Sequence, residues 1–293
     1  MMNCKQNRVL FCCVIEPKIA WINAAVLLVR SIRQYGAAFA SSPFLLIVNS
    51  DNDTTSNVSL IDEKQLYIIK QPRQIYPYSN KISALDAVDL FNFDYMVMLD
   101  HDTLVLNLSD LTDYLVQKVH ARKNLKHGLR HGLGKNYIQA FTGLGLNSWK
   151  RVPYFNSGVV IVPRRYCKIL NQCWMGWTNS LLSSFLGSVL IEQVGFGIAI
   201  HDAKIPYDYL PQKYNETNWK MPSGNAAIIH YNDYDPINIT VKREMLNSYD
   251  RFYTFLNQSD NRFWNTYAER ISLLLDSELT ALSEEIGTLL NAR

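Results

Sequence analysis

Short apolar runs alternate with helical patterns through the first hundred residues, and no other property of the chain narrows its fold as far. Val9–Ile15 predicts a first strand. Trp21–Tyr35 then places Ala24, Ala25, Leu27, Leu28 and Ile32 at helical spacing, and Gly36 is expected to stop that helix in a left-handed conformation. Phe44–Val48 and Leu66–Ile69 predict two more strands around the polar loop Asn49–Asn57. Ile82–Leu90 predicts a helix leading into a strand over Tyr95–Leu99. This order predicts an α/β fold with a Rossmann-like, mostly parallel sheet flanked by helices. Ligands are expected at the carboxyl ends of its strands.

The later chain is less regular. Asn124–Gly145, rich in Gly, His and Lys, reads as a mobile loop, and Tyr154–Val162 predicts a strand. Helices are expected over Tyr166–Leu182 and from Ile191, and a short strand over Ala226–Tyr231. From about Ser259, Trp264, Tyr267, Ile271, Leu275, Leu279, Leu282, Ile286 and Leu289 recur at spacings of three and four, predicting one long helix. Its stripe fits docking on the rest of the chain or self-association into a homo-oligomer. The expected organisation is a main domain over 1–240 and a C-terminal helical extension over 241–293.

Hydrophobic residues at 48% against 19% charged exclude a disordered chain. The net charge of +3 conceals an uneven distribution, because no acid lies between Asp113 and Glu192 while Lys and Arg recur from Lys118 to Lys168. That stretch would draw anionic partners, or be compensated by acids elsewhere in the fold. Five cysteines without CxxC spacing support neither a zinc site nor a disulfide framework. Val9–Ile15 is too short to span a bilayer, so a reducing, cytoplasmic setting is expected.

The chemistry concentrates at Asp100-His101-Asp102, between the apolar runs Phe93–Leu99 and Thr103–Leu106. A strand that delivers both at its end has a period of two, which points the two carboxylates to one side, where they repel. A solvated loop with two incidental aspartates is one reading; a divalent cation bound by hard oxygen ligands is the other, and the apolar flanks favour it. Asn80-Lys81, Phe155-Asn156-Ser157-Gly158 and His230 at a strand end complete an ordered set. Two carboxylates and an imidazole at one sheet edge would leave coordination positions for a diphosphate.

In that order the residues resemble the glycogenin-like retaining glycosyltransferases of family 8, which have the GT-A fold. Phe93–Leu106 is similar to the family's "fDkviyLDaDtlvl", Tyr154–Val162 to "yFNSGvlv", Tyr209–Asn215 to "LPxxYN" and Ala227–Tyr231 to "iiHf". Glu192-Gln193 stands where the family has Asp-Gln. The resemblance implies that Asp100, Asp102 and His230 bind Mn²⁺ or Mg²⁺, and that Trp21 stacks on uracil. A tryptophan packed in the core at a helix start is the alternative for Trp21. His101, Asn156, Ser157 and Gln193 would contact the nucleotide sugar, Lys81 its phosphate or sugar, and Glu192 the region of the anomeric carbon. Lys81, Asn156 and Glu192 are the implied catalytic residues. Asn232–Pro236 departs from the family's Gly-x-x-Lys-Pro-Trp, so leaving-group stabilisation would fall on the cation, Lys81 or the basic segment.

The implied activity is transfer of a sugar from a nucleotide diphosphate sugar, a UDP-sugar by resemblance, to a hydroxyl of a glycan, lipid-linked or protein acceptor, with retention. A nucleotide-sugar pyrophosphorylase would want a Gly-rich loop after strand one, where Glu16–Trp21 has no glycine. A non-catalytic nucleotide or nucleic-acid binder would use the basic segment and bind in a salt-sensitive way.

Overall fold

The computed structural model describes residues 7–50, 58–61, 65–72, 77–124, 137–146, 149–184, 190–218, 221–231, 246–259 and 261–291. Its strands are β1 (Val9–Ile15), β2 (Phe44–Ser50), β3 (Val58–Ile61), β4 (Leu66–Pro72), β5 (Tyr95–Leu99), β6 (Thr103–Val105), β7 (Val119–Lys123), β8 (Phe155–Pro163), β9 (Tyr207–Leu210), β10 (Glu216–Thr217) and β11 (Ile228–His230). Its helices are α1 (Ile19–Tyr35), α2 (Tyr137–Gly143), α3 (Arg164–Ser184), α4 (Ile191–Asp202), α5 (Tyr249–Gln258), α6 (Arg262–Ser272) and α7 (Ser277–Asn291). An eight-stranded sheet runs β3-β4-β2-β1-β5-β8-β7-β9, and a three-stranded sheet runs β10-β11-β6. The β1–β2, β2–β4 and β7–β9 pairs are parallel, whereas β3–β4 and β7–β8 are antiparallel. The α/β class and the mixed, mostly parallel sheet expected from the sequence are both present.

The chain forms two compact units. One comprises Met1–Leu10, Gln74–Met98 and Asp113–Leu210; the other comprises Phe11–Arg73, Leu99–Thr112 and Pro211–Arg293.

In the first unit every residue of β8 is buried, as expected of a strand covered on both faces. Phe141, Leu146, Val152, Tyr154, Leu181, Ile191, Val194 and Ile198 form one apolar cluster. Close helix packing depends on two glycines of α4. A Cβ on Gly195 would lie 2.5 Å from Thr178 Oγ1, and one on Gly197 would lie 2.1 Å from the Pro153 carbonyl oxygen. The helix expected over Ile82–Leu90 is instead a 3-10 segment over Pro77–Asp89. Asn171 of α3 donates to the Ile82 carbonyl (3.1 Å), and Ser83 Oγ donates to the Asn80 carbonyl three residues back (2.6 Å). The basic stretch is partly neutralised within this unit, with Lys118 pairing Asp208 at 3.3 Å and Lys168 pairing Asp89 at 2.8 Å. Part of the loop expected over Asn124–Gly145 lies outside the described residues, and its end forms α2.

In the second unit α1 buries most of its length. Gly36 ends it, but not in the expected left-handed conformation, since its φ is −74°. Close approach explains the glycine: a Cβ there would meet the Ile32 carbonyl oxygen at 2.3 Å. The long C-terminal helix is also corrected. It breaks into α6 and α7 at Leu273–Asp276, where Asp276 Oδ1 accepts from the Leu279 amide (3.2 Å) and caps the next helix. The break shifts the apolar stripe, so Leu274 is buried and Leu275 only half-buried. Trp264, Tyr267, Ile271, Leu279, Leu282 and Ile286 are buried within this unit, where α7 packs against α1. Arg30 of α1 pairs with Asp276, and with Glu278 at 3.4 Å. Asn23 donates to the Leu246 carbonyl (2.7 Å), and Tyr249 Oη donates to the Asn23 carbonyl (3.0 Å). Among the described residues, docking thus uses most of the stripe.

Cys12, Cys13 and Cys167 are buried, and burial pushes the Cys167 thiol up to about 12, which keeps it protonated and inert. Among the described residues no helix is long and apolar enough to cross a membrane.

Candidate functional site

The second unit assembles a possible cation site. β5 leads into the turn Asp100–Thr103, closed by the Thr103 amide (3.1 Å) and Thr103 Oγ1 (2.7 Å), both donating to the Asp100 carbonyl. Asp100 and Asp102 are therefore not alternate residues of a strand; a β-turn brings them together. β6 then pairs antiparallel with β11, setting Thr103 opposite His230, and the Tyr231 amide donates to the Asp102 carbonyl at 2.9 Å. α1 supports β6 from behind, because Ser31 Oγ accepts from the Val105 amide at 3.0 Å.

One ligand atom from each of Asp100, Asp102 and His230 can be chosen so that all lie within 4.8 Å of one another. His230 Nε2 is 3.1 Å from Asp102 Oδ1 and 3.8 Å from Asp100 Oδ2. An octahedral ion bound at about 2.1 Å separates adjacent ligands by about 3 Å, so small side-chain movements would suffice. His230 Nδ1 lies 3.0 Å from Asn215 Oδ1. With that nitrogen donating to the amide oxygen, Nε2 turns its lone pair toward the two carboxylates. Lone pairs facing each other at this distance need a positive centre between them, either a proton or a cation. The donor set fits a hard divalent ion such as Mn²⁺ or Mg²⁺.

Asn215 went unassigned at the sequence level, although it ends the quoted Tyr209–Asn215 segment. Only the parallel β10–β11 pairing, with Thr217 opposite His230, brings it to the imidazole. Asn215 is fully buried, so its place in an Asn-Glu-Thr sequon is incidental.

Trp21, in the first turn of α1, is half-buried rather than a fully enclosed core residue. Its ring stacks on His101 (4.9 Å between centroids, 29° between planes), and Lys18 Nζ lies 4.5 Å from its centre. Lys18 also pairs with buried Glu16 at 2.7 Å, but is itself largely exposed.

A separate polar cluster lies in the first unit. Glu192, only 3% exposed, sits in the first turn of α4, where the helix dipole favours its negative charge. Ser157 Oγ lies 2.9 Å and 3.0 Å from its two carboxylate oxygens. Lys81 Nζ is 3.7 Å from Glu192 Oε1 and 3.3 Å from Ser157 Oγ. Trp174 Nε1 donates to the Glu192 carbonyl (2.8 Å) and fixes the backbone there. No sequence pattern marked Trp174 for that task. Asn156 Oδ1 accepts from the Gly158 amide (2.9 Å), beside the bulge at Ala121/Arg122 on neighbouring β7. Gln193 Oε1 accepts a long bond from Asn124 Nδ2 (3.4 Å). The sequence-derived residues thus fall into two groups: Trp21, Asp100, His101, Asp102 and His230 in one unit, and Lys81, Asn156, Ser157, Glu192 and Gln193 in the other.

No protein-family model matches the sequence, and no curated protein matches it significantly. Solved structures do share its fold. A galactosyltransferase, LgtC, in complex with donor and acceptor sugar analogues, aligns with a TM-score of 0.53 at 13% identity over 93% of this chain and 99% of that one. GlyE, a glycosyltransferase of Streptococcus pneumoniae TIGR4, gives 0.54 at 14% identity over 96% of this chain, and its apo form gives 0.53 at 14% over 95%. The chain spans 63% and 62% of the GlyE chains. At such identities the likeness concerns architecture, and one architecture can host many chemistries. The chain has the α/β fold of GT-A type glycosyltransferases.

Proposed function

We propose that this protein is a metal-dependent glycosyltransferase of the family 8 kind. It would move a sugar from a nucleotide diphosphate sugar, a UDP-sugar by resemblance, to a hydroxyl on a glycan, lipid-linked or protein acceptor, with retention. The observation that carries this reading is the Asp100–Asp102–His230 group on a GT-A type fold, with its imidazole oriented by Asn215. Asp100, Asp102 and His230 would hold Mn²⁺ or Mg²⁺. When bound, the ion supplies positive charge to a departing diphosphate. Trp21 and His101 would receive the nucleotide, and Asn156, Ser157 and Gln193 the donor sugar. Lys81 would contact the sugar or phosphate, and Glu192 would stabilise charge developing on the sugar ring. In the reaction, the anomeric carbon–phosphate oxygen bond breaks and an anomeric carbon–acceptor oxygen bond forms. The acceptor's proton passes to the leaving phosphate. Residues 1–240 would form the transferase domain and 241–293 its docked helical extension. The setting proposed with this activity is reducing and cytoplasmic.

The test is a panel of nucleotide sugars incubated with Mn²⁺, read as release of free nucleoside diphosphate. At least one UDP-sugar should be consumed with Mn²⁺ and spared in EDTA. Turnover unaffected by EDTA, or none across the panel with or without acceptor sugars, would reject the reading.

The base site has its own test. Exposed Lys18 is the contact on Trp21 that an incoming base can displace. UDP should therefore quench tryptophan fluorescence, and Trp21→Ala should weaken UDP binding by about 1–3 kcal/mol, the scale of base–aromatic stacking. A folded Trp21→Ala protein with unchanged UDP affinity would remove the residue from the site.

A further inference from the structure

We propose that Tyr267, in helix α6 of the C-terminal segment, is a positioning residue for the Asp100–Asp102–His230 triad and acts through Glu216. The inference rests on the cation-site reading above.

Glu216 is a fully buried carboxylate whose partners among the described residues are hydroxyls and an amide. Tyr267 Oη and the Ser223 amide (3.0 Å) both donate to its Oε1, and Ser223 Oγ donates to its Oε2. Tyr267 Oη in turn accepts from the Gly224 amide at 3.2 Å. Burial and the bond to Glu216 both raise the Tyr267 pKa, so the phenol stays a donor at neutral pH. A buried carboxylate left short of donors is costly, which ties the backbone at Glu216 firmly to α6.

That backbone also carries the orienting partner of the third cation ligand. Asn215 and Glu216 are consecutive, and Glu216 has extended geometry (φ −78°, ψ 118°), so their side chains diverge. Glu216 turns toward Tyr267, and Asn215 meets His230 Nδ1. β10 and β11 are paired for only two residues, Glu216 with Ile229 and Thr217 with His230. So short a ladder gives little rigidity of its own. The Tyr267–Glu216 bond supplies it, and a helix distant in sequence thereby sets the angle of the His230 ring.

The test uses full-length protein and Mn²⁺ alone, followed by water-proton relaxation. Partners that orient metal ligands typically change affinity by about 10–100-fold, so Asn215→Ala should raise the Mn²⁺ Kd by that much and Tyr267→Phe, one step further out, by roughly 3–10-fold. Ser223→Ala removes the donor to the other Glu216 oxygen while leaving the Tyr267 hydroxyl in place, and should act in the same direction. It carries the test if Tyr267→Phe does not fold. Tyr249→Phe is the control: it loses half-buried hydroxyl bonds to Asn23 and Ser283 (3.0 and 2.7 Å) that lead to no ligand, and should leave the Kd unchanged. Wild-type Kd in folded Tyr267→Phe, or in Ser223→Ala where Tyr267→Phe is unfolded, would overturn the proposal. So would equal weakening by Tyr249→Phe, which would indicate general loosening of the helices. If wild type itself binds no Mn²⁺, or Asp102→Asn binds it equally well, the cation-site reading fails first.

Discussion

Asp102→Asn should abolish Mn²⁺-dependent turnover while leaving the protein folded. Replacing a ligand should cost more than disturbing its outer partners, so cation affinity is expected to fall by more than about 100-fold. The substitution preserves shape and removes one of two like charges held in a single turn. Without metal, the variant should therefore be as stable as wild type or slightly more so. Metal separates this outcome from misfolding. At 100 times its Kd, a ligand adds about 2.7 kcal/mol to wild-type stability, or roughly 5 °C in Tm for a chain of this size. Asp102→Asn should show almost none of that gain. An Mn²⁺-induced rise equal to wild type would exclude Asp102 as a ligand, and a low Tm in EDTA would mean that the aspartate serves the fold.

The sequence marked the turn at Asp100–Asp102 but not its geometry. Burial writes itself into local sequence, so β1, β2, β5 and β8 were visible as apolar runs, with only their ends adjusted. Features that depend on distant partners left weaker traces. Gly36 looked like a left-handed stop, because the nearness of the Ile32 carbonyl is a fact of three-dimensional packing. The break between α6 and α7 did have a signal, Asp276-Ser277-Glu278, but an apolar stripe running through it suggested continuity. Asp100, Asp102 and His230 were legible because acids and an imidazole beside buried strands are conspicuous. Asn215, Glu216 and Tyr267 were not, because a polar residue acquires a positioning role only from the register that brings its partner close.

Glu192→Gln should lower turnover by about 100–1000-fold, the range for losing one preorganised electrostatic contact to a transition state. Donor affinity should change by less than about threefold, the pattern of an interaction made after binding. Glutamine has nearly the same volume, and its amide oxygen can still accept from Ser157, so the packing of α4 on Trp174 should survive. What is lost is a buried negative charge at a helix start, held beside one lysine. If that charge stabilises a cationic sugar ring, turnover falls. If it serves only to hold Lys81 in place, the variant should instead weaken donor binding, because the freed ammonium no longer points one way. Ser157→Ala refines the choice: it keeps the carboxylate but removes the hydroxyl between Lys81 and Glu192, so a charge-stabilising role predicts a smaller loss of turnover than Glu192→Gln. NMR of the product's anomeric proton supplies the stereochemical half. Retention agrees with a leaving phosphate that takes the acceptor's proton. Inversion would require a general base on the opposite face of the sugar. Asp208 would then have to leave Lys118, and Asp202 its bond from Trp177 Nε1. Asp233 and Asp235, further candidates for that base, lie outside the described residues.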